Sequence, residues 1–153
     1  MADTQVNRLR KMMGDLPQTV QRFVYIAPVK LKKSEIRHLE AGDLWVLPQR
    51  KIDIIVEDKN GRILAEGEYG TYHGSISILI NHVHAHSPKL LDSNKYKFCL
   101  GSFVKRDLAR GEIVPLKLED DHSVHLCKSR RILAYATLSE VKGRAAVKIE
   151  EIR

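Results

Sequence analysis

Leu39-Glu40-Ala41-Gly42-Asp43-Leu44-Trp45-Val46-Leu47 recurs 69 positions later as Leu108-Ala109-Arg110-Gly111-Glu112-Ile113-Val114-Pro115-Leu116. At the same offset and without a gap, Arg62-Ile63-Leu64-Ala65 falls on Arg131-Ile132-Leu133-Ala134, Gly74 on Gly143 and Ile80 on Ile149. Between the identities the chemistry is kept, with Asp43 on Glu112, Leu44 on Ile113 and Ile78 on Val147. Glycines, acids and apolar residues recurring in order mark an internal repeat, and a repeat governs architecture before any local reading does.

Each copy is a series of short β-branched or apolar runs punctuated by turn residues. In the first they are Val20–Ile26, Asp43–Leu47, Ile52–Val56, Arg62–Tyr69 and Gly74–Ile80. In the second they are Tyr96–Leu100, Glu112–Leu116, Ser123–Cys127, Arg131–Leu138 and Arg144–Ile149. Ser34–Leu39 predicts a helical turn or two with Ser34 as N-cap, and a counterpart is expected around Val104–Leu108. Ile54 and Val56 match Val124 and Leu126 only with a one-residue slip. A slip inside a strand would reverse its faces, so the extra residue belongs in the preceding loop.

Asn60-Gly61 predicts a hairpin that needs a positive φ. Gly42, Gly61, Gly74, Gly111 and Gly143 are expected to act structurally, at turns. Asp43 and Glu112, each following a glycine at a strand start, are read as turn acids. Before the repeats, Val6, Leu9, Met12, Met13 and Leu16 have helical spacing. The organisation expected is therefore an amphipathic helix over 1–17, units over 18–80 and 94–153, and a linker over 81–93. Units of about 70 residues bury only about 60% of their unfolded surface. The two gain most by packing on each other as one interlocked, pseudo-dimeric, mainly β body with small α content.

Formal charge is +7, spread along the chain in short groups. A basic excess of this kind fits solubility or an acidic protein partner, with nucleic acid as the alternative. Aromatics are only 6% of residues, few for the stacking platform of a single-strand binder. No apolar run reaches the length of a membrane span, and Met1–Asp15 lacks the pattern of a signal segment. The chain reads as intracellular, with Cys99 and Cys127 reduced.

Catalytic patterns are missing. There is no glycine-rich phosphate loop, nucleophile elbow or HExxH pair in the sequence, so no catalytic residue and no cofactor is assigned. His82, His84 and His86 would share one face of a strand and could ligate zinc or nickel. They stand at the repeat junction with no acid following closely, so the expectation is a solvated segment and no metal centre is assigned.

The series helical turn, Leu-x-x-Gly-Asp/Glu-apolar, hairpin, Arg-Ile-Leu-Ala-x-Gly-Glu and final Gly-x-apolar strand resembles the SpoA (surface presentation of antigens) domain. The first copy carries it on Leu39, Gly42, Asp43, Leu44, Leu47, Ile63, Leu64, Ala65, Gly67, Glu68, Gly74, Ile76, Ile78 and Ile80. The second does so on Leu108, Gly111, Glu112, Ile113, Leu116, Ile132, Leu133, Ala134, Gly143, Val147 and Ile149, with Ala136-Thr137 in place of Gly-Glu. The resemblance covers residues 20–151. It implies a non-enzymatic scaffold of the cytoplasmic ring or sorting platform of a type III secretion or flagellar export apparatus, peripheral to the inner membrane. It also implies strand exchange between units, self-association, and docking of the export ATPase regulator and other ring components. The segments after the Ala-x-Gly-Glu strand are expected to form the partner surface: Tyr69, Thr71 and Tyr72 in the first copy, Leu138 and Val141 in the second. The alternative is a basic nucleic-acid-binding β-barrel.

Overall fold

The computed structural model describes residues 20–27, 31–47, 50–84, 96–117, 124–128 and 131–153. The expected helix over 1–17 and most of the segment 81–93 lie outside them. The chain is mainly β. Among the described residues ten strands form one antiparallel sheet: β1 (Gln21–Ile26), β2 (Leu44–Val46), β3 (Ile52–Glu57), β4 (Ile63–Tyr72), β5 (Ser75–Val83), β6 (Tyr96–Val104), β7 (Ile113–Pro115), β8 (Val124–Lys128), β9 (Arg131–Val141) and β10 (Arg144–Ile152). A single short helix among the described residues, α1 (Lys33–Arg37), precedes β2.

The strand order is β2-β10-β9-β8-β6-β1-β3-β4-β5-β7. It divides at the β6–β1 joint, and each half ends in a short strand from the other repeat. Val147 pairs with Trp45 where β2 meets β10, and Ile78 pairs with Val114 where β7 meets β5. These two pairs are related by the 69-residue offset. The flanking hydrogen bonds repeat as well. Gly42 N donates to Ile149 O at 2.7 Å and Gly111 N to Ile80 O at 2.7 Å, while Ile149 N donates to Asp43 O and Ile80 N to Glu112 O, both at 2.9 Å. Asp43 and Glu112 close their turns by accepting from Glu40 N at 2.8 Å and Ala109 N at 3.3 Å. Repetition of sequence has become reciprocity of pairing.

Alternation within the strands sends Val24, Ile54, Val56, Ala65, Ile78 and Ile80 from the first repeat into one cluster with Phe98, Leu100, Val124, Leu126, Ala134, Val147 and Ile149 from the second. Phe98 is fully buried, and Trp45 on the exchanged β2 meets its ring edge-on at 5.8 Å between centroids. Both repeats therefore share one apolar core, whose burial at about 25 cal/mol per Å² is the main stabilising contribution.

The one-residue slip is confirmed in the register. Ile54 opposes Gly67 as Val124 opposes Ala136, and Val56 opposes Ala65 as Leu126 opposes Ala134. Strand lengths differ from the sequence reading at several ends. The hairpin strands run on to Tyr72, Val83, Val141 and Ile152, because ladder pairing continues past the last core residue. The helix expected around Val104–Leu108 is not formed. Val104 instead ends β6, where it pairs with Gln21 of β1. In α1 the N-cap is Lys32 without a side-chain cap bond, and Ser34 lies inside the helix rather than at its start.

Gly42, Gly61, Gly74, Gly111 and Gly143 all have positive φ. His73-Gly74 and Lys142-Gly143 take positive φ at both positions, at 52° and 81° and at 51° and 79°. That pattern is the type I′ turn, whose twist matches the flanking strands. The Asn60-Gly61 hairpin is wider. Gly61 N donates to Asp58 O at 3.1 Å, the Asp58 carboxylate accepts from Asn60 N and Arg62 N, and the positive φ falls on Gly61 at 82°. A Cβ at Gly61 would meet nothing closer than 3.8 Å, so the cost of a side chain there is backbone strain alone. Gly61→Val should lower stability by about 1–3 kcal/mol. Chemical denaturation checks this, and an unchanged midpoint would rule out the turn.

Candidate interaction surface

Ser102 N donates to Lys117 O at 3.3 Å and Lys117 N to Ser102 O at 2.9 Å. This bridge ties the segment after β7 back to β6, so β6, β1, β3, β4, β5 and β7 close on themselves. At the seam the closure is loose. A groove of about 560 Å³ opens there, lined by Phe103, Val104, Ile113, Val114, Pro115 and Lys117 among others.

The groove is apolar at its walls and basic at its rim. Val104 is 61% exposed and Ile113 37%, two large aliphatic side chains open to water beside one groove. Grouped apolar exposure of this kind marks an interaction site more often than scattered single residues do. Lys117 is exposed. Lys105, which lines the groove too, is paired with Glu112, the acid that also closes the turn before β7. On the far edge of the sheet, β2 exposes Leu44 at 48% and Val46 at 46%. These are the register equivalents of Ile113 and Pro115. Among the described residues no strand lies beyond β2 in the sheet order, and an unpaired edge carrying apolar side chains is a template for another chain.

The five residues expected to bind a partner lie on β4 and β9, divided between the faces of the sheet. Tyr69 and its equivalent Leu138 pack against the core, half-buried. Burial pushes the Tyr69 phenol above its ordinary value. Tyr72 and Val141 stand beside the type I′ turns, and the Tyr72 ring lies over Gly70, close to where a Cβ there would sit (3.2 Å). Thr71 is exposed. Tyr69 and Tyr72 differ in pleat parity, so they do not form one patch. Tyr69→Ser should lower the melting temperature measurably while Tyr72→Ser leaves it nearly unchanged; equal effects would contradict this division.

Two constellations were not visible as such in the sequence. Lys97 on β6 reaches across β1 to Glu57 on β3, with Nζ 2.9 Å and 2.7 Å from the two carboxylate oxygens and 4.9 Å from the Tyr25 ring centroid. Glu57 is buried, and the pair fastens one repeat to the other. The second groups Glu66 with His82 and His84. On β5 the half-buried Val83 packs against the core, which turns His82 and His84 to the opposite face. Glu66 on β4 lies in register with His82. His86 lies outside the described residues. Glu68, two residues further along β4, meets Lys51 at 3.6 Å.

Among the described residues no helix is long and apolar enough to cross a membrane. The chain matches no model of a known protein family, and no curated protein matches it significantly.

Proposed function

We propose that this chain is a non-enzymatic scaffold of the SpoA kind, an adaptor in the cytoplasmic ring of a type III secretion or flagellar export apparatus. The reading is carried by reciprocal exchange of β2 and β7 between the repeats, the behaviour that the SpoA resemblance implies for paired units. Exchange consumes one edge of each repeat and leaves Leu44 and Val46 exposed on the outermost β2 and Ile113 exposed at the seam beside β7. An adaptor needs such surfaces, because it must hold its own fold while presenting apolar anchors to successive partners.

The partner this surface suits is a protein segment with apolar side chains and flanking acids. Aliphatic side chains would enter the seam groove, and carboxylates would face Lys117 and the basic surface. On this reading the export ATPase regulator supplies that segment, and other ring components use the β2 edge. The protein acts at the cytoplasmic side of the inner membrane, peripheral to the export machinery.

Affinity capture from the source cells with the full chain tests the proposal. The regulator and ring components should be recovered, and Val104→Asp with Ile113→Asp should abolish regulator capture at an unchanged melting temperature. Capture that survives both substitutions places the partner elsewhere. Recovery of nucleic acid instead, with affinity falling steeply as salt rises, would support the basic nucleic-acid-binding alternative.

A further inference from the structure

We infer that Glu66, His82 and His84 form a binding site for a borderline divalent transition-metal ion, with zinc as its natural probe. One ligand atom from each residue can be chosen so that all three lie within 4.8 Å of one another. His84 Nε2 is 3.1 Å from Glu66 Oε2, and the His82 and His84 rings meet edge to face with centroids 4.6 Å apart. Zinc holds nitrogen and oxygen ligands at about 2.0–2.2 Å, so tetrahedral ligands stand about 3.3–3.6 Å apart. The His84–Glu66 separation is already close to that. His82 and Glu66 are exposed and His84 only half-buried, so rotation of the side chains can bring in the third ligand without moving backbone.

Two imidazoles and one carboxylate select the ion class. Calcium and magnesium prefer sets made wholly of oxygen, whereas imidazole suits zinc, nickel and copper. Three protein ligands leave a fourth position for water. The site belongs to the fold and not to the histidine run alone, since Glu66 lies on β4 and reaches His82 only through the β4–β5 ladder. The other repeat shows the contrast. Its equivalent positions, fixed by the pairing of Tyr135 with Glu151 and by the bond from Arg153 N to Leu133 O, hold Tyr135, Glu151 and Arg153. All three ligand positions differ there, and an arginine replaces His84. A bound ion would clamp the end of β5 to β4 where the chain leaves the first repeat. This inference is independent of the partner reading.

Zinc titration of the untagged full chain, followed by native mass spectrometry and calorimetry, tests the site. One zinc per chain is expected, with a rise in melting temperature by mass action. Glu66→Gln should weaken binding by more than the roughly 10-fold that loss of even an outer-shell partner costs, and Glu66→His should restore it. The exposed position of Glu66 predicts zinc-free melting temperatures like that of the parent chain for both. Absence of zinc binding would overturn the inference. So would a Glu66→Gln protein that binds zinc as tightly as the parent, because the affinity would then belong to the histidine run without the fold.

Discussion

Residues 1–84 and 95–153, expressed separately, should yield no folded monomer. The first piece keeps β1 to β5 but loses β6 beside β1 and β7 beside β5, and its own β2 loses β10. Val24, Ile26, Ile54 and Val56 would then face water in place of Phe98, Leu100 and Val124. An uncovered apolar face of that size leads to self-pairing or aggregation, and symmetry offers a second copy of the same piece as a substitute partner. Analytical ultracentrifugation with circular dichroism should find homodimers, aggregates or largely unfolded chains, and mixing the two pieces should restore the sheet signal. A compact, cooperatively melting monomer from either piece would contradict the shared core.

The second large effect is expected at Lys97. The Lys97 side chain is about one-fifth exposed while the Glu57 side chain it contacts is almost wholly buried, so Lys97→Met leaves a carboxylate inside without this cation. Breaking such a pair from one side costs about 3–5 kcal/mol. Lys97 retains some contact with water, which places the expectation near the lower end. Adding Glu57→Gln to Lys97→Met should recover much of the loss, since a neutral amide needs no counter-charge; the double-mutant cycle measures the coupling. A Lys97→Met protein as stable as the parent would show that the pair contributes nothing to holding the repeats together.

The repeat makes much of the architecture legible in the sequence. Glycines and the turn acids fall at the same points of both copies because the same turns recur, and the slip at Ile54 and Val124 could be located because faces must be conserved. What was not legible depended on contacts distant in sequence. Val104 looked helical in company with Lys105 and Leu108, yet its neighbour across the sheet is Gln21, and tertiary pairing overrode the local signal. Lys97 and Glu57 carry no pattern that names them as partners; only the passage of β1 between their strands brings them together. The histidine run is visible as a run, but the register that joins Glu66 to it belongs to the hairpin.

Gly67 shows a limit of reasoning by repeat equivalence. Its counterpart Ala136 is buried with a methyl group in place, while a Cβ at Gly67 would stand 2.0 Å from the Leu79 carbonyl oxygen. The two ladders have the same register, yet the room for a methyl group that Ala136 occupies is taken at Gly67 by the backbone of Leu79.

Reciprocal exchange of β2 and β7 is expected to make the two repeats one cooperative body. Differential scanning calorimetry of the full chain addresses it directly, since two-state behaviour requires the calorimetric enthalpy to equal the van't Hoff enthalpy. A single transition with the two enthalpies equal is the predicted result. Two separable transitions, one for each repeat, would show independently folding units and contradict the account.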